Sequence, residues 1–94
     1  MAHRVTWAGR AVADLESIAD YIAADSPNYA KAVVKRVVGL TENLSMFPHA
    51  GRAVPEFDDP NLRELIAYSY RILYRVRAED VLVIAIIHGK RSVF

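Results

Sequence analysis

The chain has no cysteine. That excludes disulfide staples, thiol nucleophiles and thiolate metal centres, and it permits a reducing compartment. Glycine and proline are scarce, at four each, and three of the prolines fall with one glycine between Phe47 and Pro60, leaving that segment as the only linker-like stretch. No uncharged apolar run is long enough to cross a bilayer, and Met1-Ala2-His3-Arg4 leads into no apolar signal core, so a cytoplasmic protein with no membrane contact is expected. An excess of one charge is missing too. Twelve Lys and Arg against eleven Asp and Glu leave a net charge of +1, which excludes a histone-like protein that holds nucleic acid by bulk charge.

What is present is a globular composition. Hydrophobic residues make up 53% of the chain and charged residues 24%, too apolar for intrinsic disorder. Ninety-four residues suit one domain, residues 1–94, with a single core. His3 to Trp7 has the β-branched and aromatic content of a short strand. From about Gly9 to Ala24 the residues Val12, Leu15, Ile18, Ala19 and Ile22 follow the three-and-four spacing of one helix face. Asp25-Ser26-Pro27 stops that helix and starts another: Ser26 suits the N-cap and Pro27 the first turn. The second helix shows its stripe at Ala30, Val33, Val34, Val37, Leu40, Thr41 and Leu44 and should end near Met46 or Phe47. Both apolar stripes are assigned first to the core.

After the Pro48 to Pro60 connection, three strands are expected around Arg63-Glu64-Leu65-Ile66, Tyr70 to Val76, and Val81 to Ile87. Short turns at Ala67-Tyr68-Ser69 and Ala78-Glu79-Asp80 imply antiparallel neighbours. The fold class is therefore α+β: a short N-terminal strand, a helical hairpin and a three-stranded antiparallel meander, with the helices packed on one face of a small antiparallel sheet. Val81 to Ile87 carries no polar side chain on either parity, so both sheet faces need cover at its centre. One helical hairpin covers only one face, which points to a partner segment or second copy for the other.

Read in order, the Trp7 strand leading into Ala13-Asp14-Leu15 and Ile18, Tyr21-Ile22-Ala23 with Ser26-Pro27, Phe47-Pro48 with Gly51-Arg52 and Pro55-Glu56, Arg63-Glu64-Leu65, Tyr70-Arg71-Ile72 with Tyr74, and His88-Gly89-Lys90-Arg91 resemble the ParE/RelE toxin superfamily. The Gly51-Arg52 to Pro55-Glu56 element points to the ParE branch. The resemblance implies a bacterial type II toxin–antitoxin module with a plasmid-stabilisation role. In it, a ParD-like ribbon-helix-helix antitoxin binds operator DNA through its N-terminal part and wraps the toxin with its C-terminal part. It also implies that this chain alone reads no DNA sequence. ParE-like toxins poison DNA gyrase and carry out no chemistry, whereas RelE-like toxins cut messenger RNA on the ribosome. Three readings follow, in order: a gyrase poison, a ribosome-dependent endoribonuclease, and a member that only binds its antitoxin.

Ribonuclease chemistry needs groups that move protons and neutralise a phosphorane. The RelE-type pattern has lysines before the meander, where Ala50 to Phe57 offers only Arg52, and a tyrosine near the end, where this sequence has Ser92-Val93-Phe94. The favoured reading is therefore non-catalytic, with no catalytic residue, metal ligand or cofactor assigned. His49, Glu56, Asp58 and Asp59 lack metal-site spacing. On the meander, Tyr70, Ile72, Tyr74 and Val76 share one parity, and Arg71, Leu73, Arg75 and Arg77 the other. Arg71, Arg75 and Arg77 with His88, Lys90 and Arg91 form the candidate contact surface for an acidic antitoxin segment or a gyrase surface. Replacing Arg71 and Arg75 together by Ala is expected to weaken binding without unfolding the chain. For His88 the plainer reading is a strand-end histidine bonded to backbone. Glu64 is expected to find a partner across the strands in Arg75 or Glu79, Gly51 to serve a turn, and Arg52 to clamp Glu56.

Overall fold

The computed structural model describes residues 2–91; residues 92–94, read above against a terminal tyrosine, lie outside them. Strand β1 (Arg4–Trp7) leads into helix α1 (Gly9–Ala23), and α2 (Pro27–Asn43) follows after three residues. Ser26 Oγ accepts from the Tyr29 N–H at 3.1 Å and Pro27 opens α2, the stop-and-start signal expected from the sequence. The regular helix ends at Asn43, earlier than the stripe suggests. A last helix-like bond, Phe47 N–H to the Asn43 carbonyl at 3.2 Å, carries the turn to Pro48, which cannot continue it.

Four more strands complete the sheet: β2 (Arg52–Ala53), β3 (Leu62–Ala67), β4 (Tyr70–Val76) and β5 (Asp80–His88), in the order β1-β5-β4-β3-β2. The β3-β4-β5 meander is antiparallel, and β2 extends it on the β3 side. The sheet as a whole is mixed because β1 runs parallel to β5, a pairing that α1 and α2 allow by carrying the chain back over one face. None of the helices is long and apolar enough to cross a membrane among the described residues.

The apolar run of β5 works because its parity changes along the strand. Leu73 opposes Ala85 but Tyr74 opposes Val83, so Ile84 is an extra residue, a β-bulge. Val81, Val83 and Ile86 thereby all face the helices, in clusters with Ala11, Val33 and Val37 or with Leu44 and Tyr74. Ile84 and Ile87 face the other way, against Val54, Leu62 and Leu73. Beyond Val83, β5 outruns β1, and the edge amide of Ile86 is taken by Asp14 Oδ2 of α1 at 3.0 Å. A strand edge is thus closed by a helix side chain.

The second face does not wait wholly for a partner. The connection between α2 and β3 folds back onto it, burying Val54 completely. Arg63 holds this connection through Nη1 to the Gly51 carbonyl at 2.7 Å and Nε to the Pro60 carbonyl at 2.8 Å. Gly51 is required by close approach, since its φ is not positive. Its N–H donates to the buried Tyr74 Oη at 2.8 Å, and burial pushes that phenol's pKa up, so it stays neutral. An added Cβ would press into the Glu64 carbonyl and come within 2.7 Å of Tyr74 Oη. Gly51→Ala should therefore cost about 1–3 kcal/mol, seen in urea unfolding as a lower midpoint at unchanged slope. An unshifted midpoint would show that the connection is not seated on Tyr74.

Candidate functional site

The face opposite the helices carries side chains from alternate positions of three strands: Leu62, Glu64 and Ile66 on β3; Arg71, Leu73 and Arg75 on β4; Ala85 and Ile87 on β5. At its centre lies a buried charge cluster. Glu64 is 1% exposed and Arg71 5%. Arg71 Nε and Nη2 reach Glu64 Oε1 at 2.7 and 2.6 Å, Nη1 and Nη2 grip the two Glu56 oxygens at 2.8 Å each, and Nη1 also donates to the Arg91 carbonyl at 3.0 Å. Four of these contacts are hydrogen bonds and the fifth, Nη2 to Glu64, is an ion-pair contact, so each of the three guanidinium nitrogens has a partner. Glu56 first, then Glu64, raise the Arg71 pKa well above its ordinary value against the cost of burial. Arg52 Nε closes the cluster on Glu64 Oε2 at 2.6 Å.

This arrangement corrects several expectations. Glu64 pairs with Arg71 and Arg52 rather than with Arg75 or Glu79, because the register sets Glu64 opposite Leu73 and brings Arg71 in from the diagonal. Arg52 grips Glu64, and Glu56 is held by Arg71. Arg71 is an internal clamp rather than part of a solvated rib, so the paired substitution of Arg71 and Arg75 would not leave the fold intact.

The remaining candidates separate into distinct places. Arg75 is partly exposed and pairs through Nη1 with Asp59 Oδ2 at 2.9 Å. Arg75, helped by the Asn61 N–H, holds the Asp59 carboxyl below the usual carboxylate range. Arg77 sits at the opposite end of β4 from Arg71, in a two-pronged pair with Asp80 at 2.7 and 2.5 Å, and that guanidinium lowers the Asp80 pKa. His88 falls on the helix-side parity, its ring edge-to-face with Tyr70 at 5.9 Å and its Nδ1 accepting from the Lys90 N–H at 3.3 Å. That is the backbone-bonded strand-end histidine of the plainer reading. Lys90 and Arg91 are exposed at the tip after β5.

Two open surfaces result. On the sheet, a cleft of about 610 Å³ runs between the connection and the tip, floored by Leu73, Ile84 and Ile87 and rimmed by Arg10, Arg75 and Arg91, with Phe57 and Asp59 on the connection side. Arg75 and Arg91 were legible as candidates; Arg10, Phe57 and Ile84 were not, since only the bulge and the folded-back connection bring them together. On the outer side of the hairpin, an apolar groove follows the α1–α2 seam along Leu15, Ala19, Val34 and Val38, with Glu16 and Asp20 on the α1 side and Lys31 and Lys35 on the α2 side. Val34 is thus in the groove, whereas Val33 and Val37 are the fully buried positions. This apolar seam is a candidate interaction surface.

Removing Arg71 leaves the buried Glu64 carboxylate with only the exposed Arg52 as its partner, so Arg71→Ala should destabilise by about 3 kcal/mol, whereas Arg75→Ala, which breaks a partly exposed pair, should cost less than about 1 kcal/mol. Urea unfolding of the two variants at neutral pH compares them, and equal small losses would refute the clamp.

Comparison with known proteins converges on one family. Residues 5–93 match the family described as the ParE toxin of type II toxin–antitoxin system, parDE. Toxin RelE2 of Caulobacter vibrioides is 35% identical over 89 residues, covering 94% of this chain and 97% of that protein. Among solved structures, the chromosomal ParDE system from P. aeruginosa superposes with a TM-score of 0.76 at 23% identity, covering 95% of this chain and 98% of that one. The RelBE2 toxin–antitoxin complex from Mycobacterium tuberculosis gives 0.60 at 22%, covering 94% and 92%. The described fold, the shared length and the family match together establish that this chain belongs to the ParE toxin family of type II toxin–antitoxin systems, within the ParE/RelE superfamily.

Proposed function

We propose that this toxin is held inactive by a ParD-like antitoxin and that it acts on DNA gyrase by binding, without chemistry of its own. The observation that carries the non-catalytic part is the state of Arg71. A nuclease acting on a phosphodiester needs cations free to meet the developing charge, and the cation at the centre of this sheet already has a partner at each of its three nitrogens. Glu56 and Glu64 also place two carboxylates beside it, which repel an incoming phosphate. The ParE-family match supports gyrase as the target, and the ParDE and RelBE neighbours support an antitoxin partner.

For the antitoxin we favour the groove on the helical hairpin. Its floor is aliphatic and its rims carry opposite charges on α1 and α2, which suits an amphipathic helix laid along the seam. Val38→Asp places a charge on the half-buried floor and should weaken binding of the cognate antitoxin at least thirtyfold, roughly 2 kcal/mol, with an unchanged circular dichroism spectrum; unchanged affinity would place the antitoxin elsewhere. The target is tested with purified gyrase, plasmid DNA and this toxin. Cleaved DNA should accumulate and supercoiling be lost, both suppressed by excess antitoxin. If gyrase is untouched while ribosome-bound message is cut, the endoribonuclease reading replaces this one, and if neither occurs the chain is an antitoxin binder only.

A further inference from the structure

We infer that the cleft over β5 is a second interaction site, separate from the hairpin groove, and that it takes an extended segment of a partner protein in which an aliphatic side chain lies next to a carboxylate. The floor of Leu73, Ile84 and Ile87 offers aliphatic contact, and the volume of about 610 Å³ is that of a site for a few side chains. The rim supplies the counter-charge. Arg91 makes no ion pair among the described residues, and Arg10 has only a 3.4 Å contact with Asp14. Arg75 is engaged by Asp59 at 2.9 Å, where the chain's own carboxylate shows the geometry in which Arg75 receives one. Asp59 is in effect an internal competitor for the incoming acid.

The same features disfavour a nucleic acid. The cleft sets one carboxylate, Asp59, against three arginines, and Arg10 also has Asp14 beside it; tight phosphate-backbone binding needs more uncompensated cations than this leaves. Single strands also seek aromatic platforms for stacking, and among the described residues Phe57 is the only aromatic one lining the cleft. A peptide carrying one or two carboxylates matches the surplus that three arginines and one aspartate leave on the rim. Addition of a strand at the β5 edge is closed off, since Asp14 occupies the Ile86 amide, so recognition runs through side chains on the sheet face.

Asp59→Asn tests the idea with a sign that a merely structural role would not produce. Asparagine keeps an oxygen for the Asn61 N–H, which Asp59 Oδ1 accepts at 2.9 Å, but it releases Arg75 from its ion pair. Fluorescence anisotropy would use the full chain and a short labelled peptide alternating leucine and aspartate, its asparagine analogue, and a single-stranded uridine oligonucleotide. The acidic peptide should bind in preference to both. Asp59→Asn should tighten its binding about fivefold, and Arg75→Ala or Arg91→Ala should weaken it about tenfold. Unchanged or weaker binding by Asp59→Asn, or tighter binding of the oligonucleotide than of the peptide, would overturn the inference. The assay contains neither gyrase nor antitoxin, so its outcome is independent of the function proposed above.

Discussion

A single guanidinium ties together three separate parts of the chain. Arg71 reaches Glu64 on β3, Glu56 in the connection, and the backbone of Arg91 past the end of β5. A buried ion pair of this kind adds little net stability over an apolar replacement, because desolvation offsets the attraction. What it adds is geometry: four directed hydrogen bonds fix three segments relative to one another. The two walls of the sheet cleft, the connection on one side and the tip on the other, are both attached to this one side chain. Arg52 on β2 completes the arrangement by neutralising the second oxygen of Glu64.

The cluster also separates this protein's options. A sheet face with free cations is a phosphate site in waiting, and the same cations bound to carboxylates are a scaffold. With Arg71 internally satisfied, the charges still turned outward are Arg75, Lys90, Arg91 and Arg10, and of these Arg75 and Arg10 have acidic neighbours. Outward charge of that modest kind favours selective contact with another protein over tight capture of a polyanion.

Much of the fold was legible because helical periodicity leaves a clear record. Val12, Leu15, Ile18 and Ile22, and then Val33, Val37 and Leu40, mark two helices, and Ser26-Pro27 marks the break between them. The bulge was not legible. Val81 to Ile87 has no polar residue to report parity, so a one-residue slip at Ile84 leaves no trace in the pattern. The partners of Glu64 were missed for a related reason: a diagonal pair depends on register, and register is fixed only once Leu62 opposes Arg75. The connection hid its role because Val54 and Phe57 are isolated apolar residues among prolines, with no period to read, and β2 is two residues long. Asp14 lies off the apolar stripe of α1, and nothing in the pattern marks it as the acceptor for the Ile86 amide that β5 exposes beyond β1.

The two open surfaces lie on opposite sides of the sheet, yet they meet at one point. Arg10 lines the cleft and Val12 the hairpin groove, so the first turn of α1 contributes to both. A chain this short cannot bury both faces of an apolar sheet and both sides of a hairpin with its own residues. The connection covers part of the deficit and leaves two strips of aliphatic surface. A partner laid along the groove stabilises the folded toxin by mass action.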